Sequence, residues 1–461
     1  MKTIFQNGML LVFFLTLFVM QNSLTFADVG MDNEIAKRIK DLEKMVKNME
    51  LIHKKEMSNL VDRLEDLQQE NRDLRKLMTN KEQEQKEFIV HCESALRDAT
   101  VREPSVPFET EGLEIGLSAT SVIQGIVNSD NTGVGDRTDS TWTADLEFSK
   151  TFENCGLAFC HVEMGQGNGL DDDELNLFSC VNRDNGNSGS TLTVTELYYE
   201  AIFFDERLLV TGGKIDPTAY LDDNEIANDE TAHFLSCIFR NASTIPFPDN
   251  NLGLRVGAEI CDGLYLNTGI LEADGDFEDI FDRTFGFIQL AYSPDFIERP
   301  GTYRVYGWYD TQQHDLLEES ISGQPRKRED NHGFGVSFDQ EVLDSTTLFG
   351  RFGWADESVS NIEYAWSSGL QINGDLWHRE NDYFGVAVGQ NIPGMQLEKS
   401  GATNHKEGQL EVYYNWQIYD HLAISPHLQI VWNPNGVADE DVGAGSDSTV
   451  TILGLRSQLD F

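Results

Sequence analysis

From residue 112 to its end the chain alternates apolar and polar residues, and this period of two constrains its fold more than any other feature. In 408–418 one face carries Leu410, Val412, Tyr414, Trp416 and Ile418, and the other Gln409, Glu411, Tyr413, Asn415 and Gln417. Leu422, Ile424, Leu428, Ile430 and Trp432 then oppose Ser425, His427 and Gln429, as Leu146 and Phe148 oppose Asp145, Glu147 and Ser149. Successive side chains of a strand point to opposite faces, so such runs read as strands wetted on one face. About 16 runs are found, at 112–124, 140–150, 156–166, 192–203, 207–215, 252–260, 263–271, 283–293, 302–311, 331–338, 346–355, 365–374, 382–389, 408–418, 421–432 and 449–461. Each is close to the ~9–11 residues that a tilted membrane strand needs.

The connections alternate too. Short turns fall at 153–155, 205–206, 261–262, 339–345 and 419–420, and longer polar loops at 125–139, 167–191, 216–251, 272–282, 312–330, 356–364, 390–407 and 433–448. Short turns at one end and long loops at the other are the pattern of an outer-membrane barrel. With the N-terminal side in the periplasm, every long loop is external, and an even strand count returns the C-terminus to the periplasm. The expected fold is all-β, a 16-stranded antiparallel transmembrane barrel over 112–461. Its terminal run carries Leu453, Leu455, Leu459 and Phe461 on one face, and resembles the strand that barrel-assembly machinery recognises. A soluble sandwich or propeller would need neither the loop alternation nor this ending.

The first 111 residues differ. Lys2, the apolar run 9–20 and Ala27 read as an export signal over 1–27. Residues 28–90 contain no Pro, Trp or Tyr. Ile35, Ile39, Leu42, Val46 and Met49 step by four and three, as do Met57, Leu60, Leu64, Leu67, Asn71, Leu74 and Met78, with a stutter at His53. That seam predicts a periplasmic α-helical coiled-coil stalk, with Asn71 setting its register. Residues 91–111 form a linker.

Mean hydropathy of −0.37 leaves no room for a bundle of membrane helices. The net charge of −44 argues against a nucleic-acid partner, because phosphate contacts need clustered Lys and Arg. Residues 101–461 hold 61 acidic and 19 basic residues, so the acidity belongs to the barrel. A lipid-facing surface holds charge poorly, which assigns these groups to lumen, loops and rims.

Several stretches together resemble the carbohydrate-selective porin family, OprB. They are Leu209–Tyr220 (LVTGGKIDPTAY), Ala227–Leu235 (ANDETAHFL), Ile245–Pro248 (IPFP), Gly253–Gly257 (GLRVG), Ile424–Pro434 (ISPHLQIVWNP) and Gly454–Arg456 (GLR). The resemblance implies a 16-stranded barrel that passes sugars. A homotrimer is expected by analogy, since porins of this architecture commonly assemble so, and a three-stranded stalk would fit. The stalk is similar to coiled coils that precede some cyanobacterial and other large-cell-wall porins, which usually have a surface-layer-homology domain before the coil; none is read in this sequence, so the coil is expected to be an oligomerising spacer.

A passive pore needs a constriction lined by polar groups that replace a solute's water. The loop 216–251 is the natural infolding segment, with Asp216, Asp222, Asp223, Glu225, Asp229, Glu230, His233 and Arg240 beside Tyr220, Phe234 and Phe247. Alternation adds Glu147, His161, Glu163, Glu200, Arg255, Arg304, Tyr306, Trp308 and Glu411 on the inward face, while Lys214 admits either parity. Carboxylates and guanidinium groups hydrogen-bond sugar hydroxyls, and aromatic rings stack on sugar faces. The expected permeants are therefore small sugars or ions. Alternatives are a general cation-favouring porin and a tether joining outer membrane to cell wall through the stalk.

No catalytic constellation, cofactor or metal site is expected. Asp171–Glu174 and Asp274-Gly-Asp276 lack the full spaced calcium loop and read as solvated external loops. Six cysteines (Cys92, Cys155, Cys160, Cys180, Cys237, Cys261) admit 15 pairings, none favoured. Cys160 alternates with Val162 and Met164, which faces it to lipid, unpaired.

Overall fold

The structure is a computed structural model describing residues 112–127, 137–152, 156–171, 175, 177–184, 191–280, 282–294, 299–317, 327–399, 405–436 and 449–461, with Lys40, Lys44 and Lys47. The chain divides into Met1–Glu109 and Thr110–Phe461. In the first unit the three lysines are helical and exposed. The expected signal, the stalk seam with Asn71, the linker, Cys92 and Cys155 lie outside the described residues.

The second unit contains 16 strands. These are β1 (Leu113–Ile126), β2 (Thr138–Phe152), β3 (Gly156–Gln166), β4 (Thr193–Phe203), β5 (Leu208–Ile215), β6 (Asn251–Cys261), β7 (Leu264–Glu272), β8 (Thr284–Tyr292), β9 (Gly301–Asp315), β10 (Arg328–Leu343), β11 (Thr346–Ala355), β12 (Ile362–Asn373), β13 (Tyr383–Pro393), β14 (Glu407–Tyr419), β15 (Leu422–Trp432) and β16 (Thr449–Asp460). Each pairs antiparallel with its chain neighbours, and β1 pairs with β16 to close the barrel. Closure leaves no open edge, so every strand has its ladder satisfied on both sides. At the seam Phe461 donates its amide to the Leu117 carbonyl at 2.9 Å. No helix among the described residues is long and apolar enough to cross a membrane; the strands are what can span one.

One boundary departs from expectation. The polar residues crowded into 339–345 predict a turn there. In the structure β10 continues to Leu343 and only Asp344 and Ser345 turn the chain. Asp339 is an inward strand residue, 1 % exposed, neutralised by Arg304 across the ladder. A polar residue on a lumen-facing strand looks like a turn residue in sequence.

The outward face is apolar. Leu254, Ile270, Ile288, Val305, Phe334, Val336, Leu453 and Leu455 are all exposed on it. Trp142, Tyr309 and Trp366 ring the long-loop end, and Phe152, Tyr199, Phe203, Tyr292, Tyr303, Trp416 and Tyr419 the short-turn end. Two aromatic girdles flanking an apolar band match a bilayer and its two interfaces. Cys160, opposite Phe148 and Leu197, is on this face with a free thiol.

The core sits inside the barrel, between inner wall and infolded loops. Ile215, Leu221, Ala242 and Ile245 pack on Leu271, Phe285, Phe287, Tyr306 and Trp308. Ile226, Ala227, Phe234, Ile238 and Phe239 pack on Phe349, Ala387 and Tyr413. Leu170, Leu175 and Val181, from the loop after β3, pack on Ile126, Val431, Val450 and Ile452. Glycines make room for this layer: a Cβ at Gly333 would lie 2.5 Å from the Trp308 ring, and one at Gly335 2.3 Å from the Tyr306 hydroxyl.

Cys180 and Cys237 form a disulfide that joins the loop after β3 to the loop after β5 across a sequence separation of 57. In the chain-entropy model a loop of that length contributes about 4 kcal/mol. Cys180→Ser should lower the temperature at which the barrel loses its compact gel mobility, and reductant should do the same to the unmodified protein. Unchanged mobility in both would remove this role for the bond.

Candidate functional site: a constricted lumen

The loop 216–250 leaves the end of β5, turns on a 3-10 segment capped by Asp216, and lies inside the barrel. Buried arginines from the wall hold it there. Arg351 on β11 pairs with Asp222 at 3.1 Å and donates to the carbonyls of Phe239, Asp222 and Ala227. Arg456 on β16, fully buried, donates to the carbonyls of Glu230, His233 and Ala232. Those carbonyls have no strand or helix partner, so the guanidinium groups replace a missing ladder. Burial pushes the Asp222 carboxyl up, with Arg351 opposing; burial holds His233 down at about 4 and therefore neutral at pH 7.

Glu411 belongs to the same anchoring set. It is 0 % exposed and accepts the Leu235 and Ser236 amides, both at 2.9 Å, and His427 Nδ1 at 2.8 Å. It therefore has no surface to offer a solute, contrary to its expected place in the constriction. Trp308 likewise has no surface to offer a solute, contrary to its expected place. It is 4 % exposed and stacked beside Phe285 under the loop. Lys214 takes the outward parity, opposite Leu197 and Leu252, and donates to the Val194 carbonyl. For Glu411 and Trp308 inward parity was not enough, because a loop covers part of the wall; Lys214 simply has the outward parity.

The remaining candidates fall into two lumen groups. Arg255 lies against Glu200 (3.2 Å) and Asn267, its guanidinium 4.6 Å from the centre of the Tyr220 ring. Arg304 is held between Asp223 (3.2 Å) and Asp339 (2.5 Å). Together with Tyr265, Asn267 and Gln289 they border a lumen cavity of about 330 Å³ on the short-turn side of the loop. The second group is acidic. His161 meets Asp145 (3.1 Å) and Thr195, opposite Glu147 on the ladder, and Glu163 lies opposite Asp145. Asp216 meets Glu196 through its amide, Glu230 pairs with Arg240, and Asp229 caps a turn by accepting the Thr231 and Ala232 amides.

Asp145, Tyr265, Asn267, Gln289, Arg351 and Arg456 join the site beyond the residues expected from the sequence, while Asp223 was among the expected loop residues. Alternation alone could have found Asp145, Arg351 and Arg456, whose neighbours Leu146, Phe352 and Leu455 face outward. Asp184 could not have been found, since it reaches the lumen on the loop after β3. It accepts Thr143 Oγ1 at 2.8 Å, and its other oxygen is buried without a partner. Burial, with Glu230, Asp145 and Glu163 nearby, pushes its carboxyl up to about 7. A raised carboxyl favours the docked loop while protonated; that contribution is complete below the ordinary value of 3.8 and is lost as pH rises to about 7. Protease should therefore cut the loop after β3 faster at pH 8 than at pH 5, and Asp184→Asn should abolish the difference.

Residues 135–461 match the carbohydrate-selective porin, OprB family. The chain belongs to that family. Porin B of Pseudomonas aeruginosa is 21 % identical over 325 residues, 59 % of this chain and 69 % of that protein. An uncharacterized protein of Aquifex aeolicus is 26 % identical over 226 residues, so this chain covers 60 % of that relative's length. The structure of Pseudomonas putida OprB at high pH superposes with a TM-score of 0.64 at 18 % identity, covering 76 % of this chain and 94 % of that one. An OprB-family porin is an outer-membrane protein of bacteria, so the long-loop end of this barrel is external and the short-turn end periplasmic. The arginine-bordered cavity then lies on the periplasmic side of the infolded loop.

Proposed function

We propose that this porin passes carbohydrates and other small hydrophilic solutes across the outer membrane by passive diffusion. The observation that carries the reading is the lumen cavity bordered by Arg255, Arg304, Asp223, Asn267, Gln289 and Tyr265. Its donors and acceptors suit vicinal hydroxyls, and Tyr265, 44 % exposed, offers a ring face. Both guanidinium groups are already paired with carboxylates, so neither offers an unbalanced positive charge to a solute. Constriction roles for Asp216, Asp229, Glu230, Glu163, His161, Glu147, Glu200, Arg255 and Arg304 form part of this proposal.

The acidic wall supports a second reading, a pore that favours cations. Asp145, Glu147, Glu163, Asp184 and Glu196 gather on one side, and a mouth lined by one sign of charge concentrates counter-ions. Planar-bilayer recordings separate the two. Block by mono- or disaccharide supports the first reading; a strong cationic reversal potential without sugar effect supports the second. No conductance at all leaves the tether, in which the stalk joins outer membrane to wall. Homotrimeric assembly, periplasmic placement of the stalk and recognition of Phe461 by assembly machinery complete the proposal.

A further inference from the structure

The external loop after β7 carries a feature that the pore does not use. Glu272 ends β7 with the outward parity of Leu266 and Ile270, and so faces away from the lumen. It is nevertheless 2 % exposed, because its own loop folds over it. The Phe277 amide approaches this carboxylate, but neither oxygen completes a hydrogen bond. Asp274 gives one oxygen to Arg283 at 3.0 Å, while its other oxygen is shielded and partnerless. Asp276 joins them: one oxygen from each of the three carboxylates falls within 4.8 Å of the others. Among the described residues no other such trio of carboxylate, His or Cys groups occurs.

Ionised oxygens withdrawn from water without donors are costly, and the usual remedy is a counter-ion. Arg283 supplies one positive charge against three negative ones, leaving a deficit that a divalent cation matches. We propose that Glu272, Asp274 and Asp276 bind a calcium ion in the external loop. Three convergent hard oxygens, two of the groups shielded from water, suit calcium. Magnesium keeps several of its waters and takes one or two carboxylates. Glu272, the last residue of β7, completes the set that Asp274-Gly-Asp276 begins.

The test uses full-length porin in detergent, stripped with chelator and titrated calorimetrically with calcium at physiological ionic strength, where diffuse binding to the acidic surface is screened. Glu272→Gln and Asp276→Asn are compared with Asp262→Asn, in a periplasmic turn, as control. Asp276 is exposed, so its variant keeps the compact gel mobility of the folded barrel. The expected result is one site with affinity on the order of 10⁻⁴–10⁻³ M, weakened ~tenfold or more in both variants and unchanged in the control. Calcium should also slow tryptic cleavage after Arg283 in the unmodified protein and in the control, but not in the two variants. Equal calcium binding by all forms, or cleavage indifferent to calcium, overturns the proposal. Equal affinity for magnesium overturns the choice of ion. Neither readout depends on solute passage, so failure here is distinguishable from failure of the sugar reading.

Discussion

Replacing Arg351 by alanine should open the pore. The side chain is fully buried, and it satisfies Asp222 and three loop carbonyls at once. Removing one member of a buried ion pair typically costs about 3–5 kcal/mol, because the partner is left charged and dry. Asp222 would then have the Ala242 amide against its carboxylate, with its own amide on Gln289. The loop 216–250 should detach locally on this side, while Arg456, Glu411 and the disulfide hold the other. Single-channel conductance is expected to rise and to become noisy, with the barrel still folded. Asp222→Asn with Arg351→Met should recover much of the closed behaviour, since a neutral pair leaves no buried charge. Unchanged conductance in Arg351→Ala would show that the loop does not depend on this anchor.

The second large effect is expected at Arg255. Its guanidinium is 4.6 Å from the Tyr220 ring centre and bonded to Asn267 and Glu200, and the residue, 7 % exposed, lines the lumen cavity. A charge-assisted hydrogen bond contributes about 1.5–3 kcal/mol, which is roughly a factor of ten or more in affinity. Arg255→Ala should therefore weaken sugar block about tenfold or more. It should also shift the reversal potential towards cations, because Glu200 loses its counter-charge. Glu200→Gln should move the reversal potential the opposite way. Block and selectivity both unchanged in Arg255→Ala would move the constriction elsewhere, with the acidic wall at Glu163 as the next place to look.

Legibility from sequence followed burial on one face. Runs such as 408–418 and 421–432 show clean alternation because lipid tolerates only apolar groups and the lumen side is wet. Runs broken by inward glycine or by long polar ends, such as 331–338 in β10, were found but cut short. The loop 216–251 was recognised as infolding from its length and family motifs. Which of its charges meet a solute could not be read, since Asp222 is taken up by Arg351 of the wall and by the Ala242 amide.

Two kinds of fact thus separate. Alternation by itself determined a closed barrel of 16 strands, and the charge count determined that its wet surface is acidic. Both are properties of period and composition along the chain. Only the tertiary structure decided which inward residues are accessible. Glu411, Trp308 and Arg255 share the inward parity, yet the first two lie beneath the infolded loop and the third lines the lumen cavity. It also decided the pairing of Cys180 with Cys237 and the meeting of Glu272 with Asp276. The physical reason is that strand period fixes direction, whereas exposure depends on what a distant segment covers.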